Sequence, residues 1–303
     1  MARVFCVGHA VQDFVFSVSR LPDRGEKYRA HGFEGIGGGP AATAAVAIAR
    51  LGGAAVLAAR VGADSIAEIL VAELERYGVD CRYVRRFVGC ASSVSSVMID
   101  AGGERMIVNH LDPQMPCDAQ WLPDVRSLSV DAVLGDVRWP QGAASALAQA
   151  RNAGLPAVLD ADKPIPKDGA LLATATHIAF SADGLTDYTG ESDPGRALLR
   201  VAEGLDAWCC VTVGAEGCYS VSDGVLEHHS AHHVAVVDTL GAGDVWHGAF
   251  ALALAEGRGE RAAVGFASAA AALKVQRFGG RAGAPTRAEL DRFLATQNGG
   301  QGT

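Results

Sequence analysis

Short runs of β-branched and other apolar residues alternate along most of this chain with longer, alanine-rich segments of helical character. This alternation is typical of βαβ units, in which parallel strands form one sheet and helices cover its two faces. The predicted strands are 4–8, 55–62, 132–134, 157–160, 178–180 and 209–214. The predicted helices are 40–51, 65–77, 141–153, 193–203, 244–256 and 261–275. We therefore expect an α/β fold around a mostly parallel sheet.

Two segments, 13–36 and 87–112, interrupt this alternation. In the second segment, side chains of 92–99 show the alternating pattern of a strand, and the turn 101–104 leads into a further strand. Both segments are predicted to form antiparallel strands. A small sheet of this kind can act as a lid over a site. The predicted division is a core of 1–12, 37–86 and 113–303 and a lid of 13–36 and 87–112. The polar tail 296–303 is expected to fray.

Charge and cysteine usage exclude several classes of function. The net charge of −8 argues against general binding to nucleic acid or anionic membranes. The seven cysteines contain no C-x-x-C pair, which favours a reduced, cytoplasmic protein. No apolar stretch has a membrane-spanning length, and the start lacks the pattern of a signal peptide. The histidines at 228, 229, 232 and 233 flank a predicted strand without a nearby set of carboxylates or cysteines, so a metal site is not expected there.

The segment Asp238-Thr239-Leu240-Gly241-Ala242-Gly243-Asp244 carries the clearest chemical signal, because it leads directly into a predicted helix. Glycines before a helix leave backbone N–H groups open to an anion such as phosphate, and the helix dipole favours negative charge there. A carboxylate beside such a site repels phosphate unless it accepts a proton from an attacking hydroxyl. Asp244 is therefore either a general base or a helix cap.

This segment resembles the D-T-x-G-A-G-D signature of the PfkB (ribokinase-like) carbohydrate kinases, and residues 37–47 resemble the glycine signature near their N-terminus. The resemblance extends over about the whole chain. It implies a three-layer sandwich with a small β-sheet lid, and an enzyme that uses ATP and Mg²⁺. It also implies that Asp244 is the catalytic base and that the N–H groups around Gly241, Ala242 and Gly243 stabilise the transferred phosphoryl group.

The resemblance also identifies candidate cofactor sites. Thr212, Gly214 and Gly217 match a T-x-G-x-x-G nucleotide loop, to which Gly241 and Gly243 would contribute. Residues 279–283 match a late loop at which some members bind K⁺ through backbone carbonyls and an aspartate placed like Asp238. Potassium binding is left open for this chain. The family's N-x-x-E element is replaced by residues 181–184, so the protein groups that support Mg²⁺ are unknown.

The acceptor site is inferred from Asp13, which follows the first strand and is expected to bind sugar hydroxyls, with Gly38, Gly39 and Thr43 beside it. Many family members have asparagine in place of Thr43. Lys27, Asn109 and Arg138 are individually ordinary. Within their local patterns, however, they resemble the residues that bind the sulfonate in 6-deoxy-6-sulfofructose kinases of sulfoglycolysis. An ammonium, a guanidinium and an amide can together satisfy a sulfonate.

The resulting hypothesis is phosphorylation of the carbon-1 hydroxyl of 6-deoxy-6-sulfofructose. Kinases of another ketose, a phosphoketose or a nucleoside remain alternatives, as does a sugar-binding protein without activity. A dinucleotide-dependent oxidoreductase is disfavoured because residues 7–12 lack G-x-G-x-x-G after the first strand. The edge of the lid sheet could pair with a second copy, so a homodimer through the lid is expected.

Overall fold

The computed structural model describes residues 1–299 and contains two β-sheets with helices packed around the larger one. The strands are β1 Arg3–Gly8, β2 Val11–Ser17, β3 Gly32–Gly38, β4 Ala54–Gly62, β5 Asp80–Phe87, β6 Val94–Ile99, β7 Arg105–His110, β8 Ala132–Asp136, β9 Ala157–Ala161, β10 His177–Ser181, β11 Trp208–Thr212, β12 Cys218–Ser222 and β13 Val225–His229. The helices are α1 Pro40–Arg50, α2 Ser65–Arg76, α3 Pro140–Asn152, α4 Ala182–Thr189, α5 Pro194–Ala202, α6 Ala242–Ala255, α7 Glu260–Val275 and α8 Arg287–Gly299.

The larger sheet has nine strands in the order β13-β12-β11-β10-β9-β8-β1-β4-β5. All neighbouring pairs from β11 to β5 are parallel, whereas β12 and β13 form an antiparallel hairpin at one edge. After β1, the chain first adds β4 and β5 on one side of it. It later adds β8 to β13 in succession on the other side. The strand order therefore reverses between β1 and β8, and ligands of open α/β sheets bind at such a crevice.

Helices cover both faces of this sheet. One apolar cluster joins it to α1, α6 and α7, and a second joins it to α3 and α5. The chain therefore has the predicted three-layer α/β architecture. The sequence accounts for each layer. Parallel strands that are buried on both faces are continuous apolar runs, and each helix has one apolar side that packs on the sheet.

Helices α1 and α6 approach each other closely at Gly248. A β-carbon at Gly248 would lie 2.5 Å from the backbone oxygen of Ala44, so only glycine allows this contact. The first turns of the two helices also meet, because a β-carbon at Gly241 would lie 3.4 Å from Cγ2 of Thr43. The N-termini of α1 and α6 thus lie side by side at one end of the sheet.

The smaller sheet has the strand order β3-β2-β6-β7. Its first hairpin, formed by β2 and β3, runs from Val11 to Gly38 and extends two residues beyond each end of the predicted range 13–36. At the start of the second range, 87–112, Phe87 belongs to β5 of the larger sheet. The β2–β3 and β6–β7 pairs are antiparallel as predicted, but β2 and β6 pair in parallel. The prediction of a wholly antiparallel sheet was wrong because its two hairpins come from separate insertions.

The end of the chain is more regular than predicted. Helix α8 continues through residues 296–299, the first half of the tail that was expected to fray. The rest of that tail, 300–303, lies outside the described residues. Within residues 1–299, no helix combines the length and the apolar character needed to cross a bilayer.

Candidate active site

The loop before α6 forms an open helix N-terminus. Gly241 is the N-cap, with a φ of 73° that favours glycine, and the N–H of Ala242 donates to the carbonyl of Thr239. A β-carbon at Gly243 would have no atom within 4 Å, so the space above this turn is free. The first N–H groups of a helix lack partners within it. This geometry suits an anion at Gly241, Ala242 and Gly243.

Asp244 lies in the first turn of α6, and no side chain caps this helix. The capping alternative for Asp244 was therefore wrong, because the helix begins at Ala242, two residues before the predicted start. The carboxyl is partly buried at the base of the open turn. Burial, reinforced by the negative charges of Asp160 and Asp136, raises the pKa of Asp244 to about 7. Such a carboxylate can accept a proton near neutral pH.

A buried ion pair lies beneath Asp244. Nδ1 of His247, one turn further along α6, is 3.2 Å from Oδ2 of Asp160 at the end of β9. Burial alone would lower the pKa of His247, but Asp160 and Asp244 outweigh it and raise the pKa to about 9. A protonated His247 therefore neutralises part of the negative charge around Asp244.

A cavity of about 340 Å³ opens beside this helix N-terminus. It brings together Thr212, Gly214 and Gly217 from the end of β11 with Ala242 and Gly243 from α6. Its remaining lining is largely apolar and comes mainly from the segment 231–236, from Trp246 of α6 and from α7. An apolar slot that ends at an anion-binding turn has the shape and chemistry to hold a base and its phosphates.

The histidine group has other contacts. His228 donates to the carbonyl of Glu216, and His229 lies 2.8 Å from the hydroxyl of Ser220. His232 and His233 line the cavity. Across residues 1–299, no three His, Cys, Asp or Glu side chains are grouped so that they could hold a metal ion.

Asp136 organises the crevice between β1 and β8. Its Oδ2 accepts hydrogen bonds from the N–H groups of His9 and Ala41, and its Oδ1 accepts one from the N–H of Arg138. Gly39, with a φ of 94°, lets the chain turn into α1 against the carbonyl of His9. One carboxylate thus ties together the end of β1, the start of α1 and the end of β8.

Asp13 lies on the smaller sheet beside Ser95 and Asn109. These three positions are in register across β2, β6 and β7, so their side chains share one face, and the amide of Asn109 donates to the hydroxyl of Ser95. Burial raises the pKa of Asp13, although Ser95 and Arg281 oppose the shift. A β-carbon at Gly38 would lie 2.3 Å from Oδ2 of Asp13, so Gly38 leaves room for this carboxylate.

Arg138 and Lys27 are less constrained. The guanidinium of Arg138 is 39% exposed, and its only ion pair within residues 1–299 is a 3.4 Å contact with Asp162. Lys27 is exposed in the loop between β2 and β3. In the described part of the chain, no hydrogen bond or ion pair joins Lys27 to Asn109 or Arg138. The structure therefore groups Asn109 with Asp13 and places Arg138 beside Asp136, but does not bring Lys27 into contact with either.

The late loop at 279–283 packs against Asp238. Oδ2 of Asp238 accepts hydrogen bonds from the N–H groups of Gly279 and Gly280, and Oδ1 accepts one from Leu240. The ammonium of Lys274, fully buried, donates both to Oδ2 and to the backbone carbonyl of Asp238. These are the oxygens that would coordinate a potassium ion, and they already accept hydrogen bonds from protein groups. The residues present do not fit K⁺.

Four polar residues that shape this site were not predicted from the sequence: Asp136, Asp160, Lys274 and Arg281. Arg281 is buried, and its guanidinium pairs through two nitrogens with the carboxylate of Glu73 on α2. Each of the four interrupts an apolar or glycine-rich stretch. A charged residue in such a position is rarely buried unless it is paired, and that was the available signal.

The comparisons with known proteins cover nearly the whole chain. The sequence profile of the pfkB family carbohydrate kinases matches residues 1–287. The ATP-dependent ribose-1-phosphate kinase of Halopiger xanaduensis is 30% identical, over 97% of this chain and 99% of that protein.

Two solved structures have the same fold. A protein from Agrobacterium tumefaciens, provisionally assigned as a ribokinase, is 38% identical with a TM-score of 0.93, and the match covers 98% of both chains. Arabidopsis thaliana ribokinase, solved with ribose and ATP, is 25% identical with a TM-score of 0.83, over 97% of this chain and 99% of that one. Together with the family profile, the Gly241–Asp244 turn and the cavity beside it, these matches show that the chain belongs to the pfkB family of carbohydrate kinases and is an ATP-dependent kinase.

Proposed function

We propose that this kinase transfers the γ-phosphoryl group of ATP to the carbon-1 hydroxyl of 6-deoxy-6-sulfofructose. The observation that carries the proposal is the position of Arg138 at the crevice between β1 and β8. Its backbone is fixed on Asp136, while its guanidinium makes one long ion pair. A guanidinium held in this way is available to an anionic group of the acceptor.

The base and phosphates of ATP are proposed to lie in the cavity formed by Thr212, Gly214 and Gly217, with the γ-phosphate at the α6 N-terminus. Asp244 accepts the proton of the attacking hydroxyl, and its raised pKa keeps this transfer favourable near neutral pH. The N–H groups of Gly241, Ala242 and Gly243 face the oxygens on which charge accumulates, and the N–H of Ala242 is shared with the carbonyl of Thr239. The helix dipole acts in the same direction.

Mg²⁺ is proposed to bind mainly through the phosphates of ATP, since this ion usually needs only one or two protein carboxylates at such sites. Asp162 is the candidate. Its carboxylate is 37% exposed and accepts a hydrogen bond from Ser181, which stands where the N-x-x-E element is missing. The neighbouring Asp183 points away, to Lys163. When bound, the ion would offset phosphate charge.

The sugar is proposed to bind between the two sheets. Its hydroxyls would form hydrogen bonds with the side chains of Asp13 and Thr43 and with the backbone at Gly38 and Gly39. Asn109 lies on the same sheet face as Asp13, and Lys27 is on a loop of the same sheet. If that loop moves towards the site when the sugar binds, the ammonium of Lys27 would reach the sulfonate that Arg138 also binds. The smaller sheet, with 13–36 and 87–112 as its segments, would then act as a lid.

A homodimer through this smaller sheet is part of the proposal. The face opposite Asp13 carries Phe14, Phe16 and Phe33, which pack on one another, and Phe33 is 59% exposed. An exposed apolar sheet face of this kind favours a second copy as its cover. Seven free cysteines and the use of ATP support a cytoplasmic location.

A second candidate substrate is ribose or a ribose phosphate, favoured by the names of the relatives. A neutral pentose would leave Arg138 without an anionic partner, whereas a phosphorylated sugar would use it. A kinase assay against sulfofructose, fructose 6-phosphate, fructose, ribose and ribose 1-phosphate separates these cases. The sulfonated ketose is expected to give the highest kcat/KM.

Arg138→Ala tests how the anion is recognised. Because Arg138 is partly exposed, the loss in kcat/KM for sulfofructose is expected to be about 2 kcal/mol, or roughly thirtyfold, the lower end for an ion pair in a ligand site. Fructose should be affected less than about threefold, since it lacks the anion. Arg126→Ala is the control, because this arginine is exposed and forms no ion pair with any residue in 1–299. Equal losses on both sugars, or a wild-type preference for a neutral sugar, would refute the sulfonate assignment but not the kinase activity.

A further inference from the structure

The pair between Lys274 and Asp238 lies directly behind the anion-binding turn. Lys274 is 0% exposed, and its Nζ lies 2.8 Å from the carbonyl oxygen of Asp238 and 2.9 Å from Oδ2 of the same residue. Three residues further on, Gly241 caps α6. An ammonium therefore holds both the backbone and the side chain of the residue that begins this turn.

Asp238 also joins two loops. Its carboxylate accepts N–H groups from Leu240 in its own loop and from Gly279 and Gly280 in the late loop. Burial acts to raise the pKa of this carboxyl, but the N–H of Leu240 and the ammonium of Lys274 outweigh it and lower the pKa. Without a cation beside it, a buried carboxylate would be costly to keep ionised.

The local charge is already balanced. Lys274 compensates Asp238, and the guanidinium of Arg105 lies 3.5 Å from Oδ1. A potassium ion needs a shell of free oxygen acceptors, and here the carboxylate and the carbonyl are both engaged by N–H donors. An additional cation would therefore meet positive charge and occupied oxygens.

We infer that the ammonium of Lys274 takes the place of a monovalent metal ion, so that phosphoryl transfer by this enzyme does not depend on K⁺. Lys274 is a positioning residue in this account. It fixes Asp238, and Asp238 fixes the loop that presents Gly241 to the phosphate. The inference rests on the kinase activity of the family and not on the proposed sugar, so any acceptor that supports turnover can be used.

The first experiment compares wild-type kcat in potassium chloride with kcat in tetramethylammonium chloride at equal ionic strength, because tetramethylammonium is too large for the site. The two rates are expected to agree within about twofold, since a tethered ammonium is always present. Activation by potassium of more than about fivefold would overturn the inference, because the wild-type protein would then need an ion that Lys274 should replace.

Lys274→Ala tests the role of the ammonium itself. In tetramethylammonium its kcat is expected to fall at least about tenfold, because a buried carboxylate loses its partner. Potassium, ammonium or methylammonium should restore at least about fivefold, since the truncated side chain leaves space beside the two Asp238 oxygens that the ammonium contacts in the wild type. Lys274→Met keeps the volume without the charge and should lose activity without rescue. Lys167→Ala, at an exposed lysine, is the control.

Thermal melting midpoints test the same inference without a sugar substrate. Potassium should raise the midpoint of Lys274→Ala relative to tetramethylammonium and leave the wild-type midpoint unchanged, because only the variant offers the ion a site. Full activity of Lys274→Ala in tetramethylammonium would overturn the inference, and so would a folded variant that neither potassium nor an amine rescues. If the variant does not fold, the wild-type comparison decides.

Discussion

Replacement of Asp244 by asparagine should abolish most activity and stabilise the protein. The carboxyl is held at a pKa of about 7, compared with 3.8 for an unperturbed aspartate. A difference of about three units corresponds to about 4 kcal/mol of folding free energy lost when the group is ionised. Asparagine has nearly the same shape but no charge, so it removes this cost and also removes the proton acceptor.

The pH dependence of this stabilisation has a definite sign. Below pH 3.8 the carboxyl is protonated in both states, so it contributes no difference. As pH rises, the unfolded chain ionises first, and the cost to the folded state grows until pH passes about 7, the folded pKa. The gain in stability from Asp244→Asn should therefore be about 1.7 kcal/mol at pH 5 and rise to about 4 kcal/mol at pH 8. For a chain of this size, about 2 °C in melting midpoint is expected per kcal/mol.

Two assays measure the two effects. Release of ADP gives kcat, which should fall at least about a hundredfold, the usual scale for loss of a general base. Thermal melting should show a midpoint gain of about 3 °C at pH 5 and about 8 °C at pH 8. Affinity for ATP should stay close to that of the wild type. Glu68→Gln, which neutralises an exposed carboxylate in the first turn of α2, should leave both quantities nearly unchanged.

Two separate results would contradict these expectations. A kcat within about threefold of wild type would show that Asp244 is not the base. A midpoint that does not rise at pH 8 would show that the carboxylate is not held at an electrostatic cost.

Three further outcomes are expected. Gly243→Val should keep the melting midpoint, because a β-carbon there meets open space, but should suppress kcat by blocking phosphate without loss of sugar binding measured by calorimetry. The kcat/KM of the wild type should fall about tenfold per pH unit below about 7, as Asp244 becomes protonated, and an acid limb near pH 4 would contradict the proposed burial. Light scattering should give a mass near twice 31.2 kDa, reduced to the single-chain value in Phe33→Ser, and a wild-type monomer would refute the dimer.

The fold was predictable because its determinants are local. Buried parallel strands appear as continuous apolar runs, and the glycines after the helices mark where they end, so β8, β9 and β10 were located within two residues. The turn before α6 was equally accessible, since its glycines adjoin the helix that they serve. The start of that helix was misplaced because Asp244 is also a preferred cap residue.

The electrostatic environment of the site could not be predicted in the same way. Asp160 and His247 are 87 positions apart in the sequence and meet only because β9 ends beneath α6. Lys274 meets Asp238 through the packing of α7 against the turn. Such pairs depend on sheet order and helix placement, and a single sequence contains no direct signal for either. The parallel β2–β6 pairing was missed for the same reason.

The contact between Gly248 and Ala44 has a consequence for how substrates can change. The backbones of the two helices are in direct contact there. The distance between the acceptor end of the site at α1 and the phosphate end at α6 is therefore held rigidly by helix packing. The smaller sheet is a separate layer that does not share this contact. Substitutions on it can therefore exchange one sugar for another while the distance over which the phosphoryl group moves stays constant.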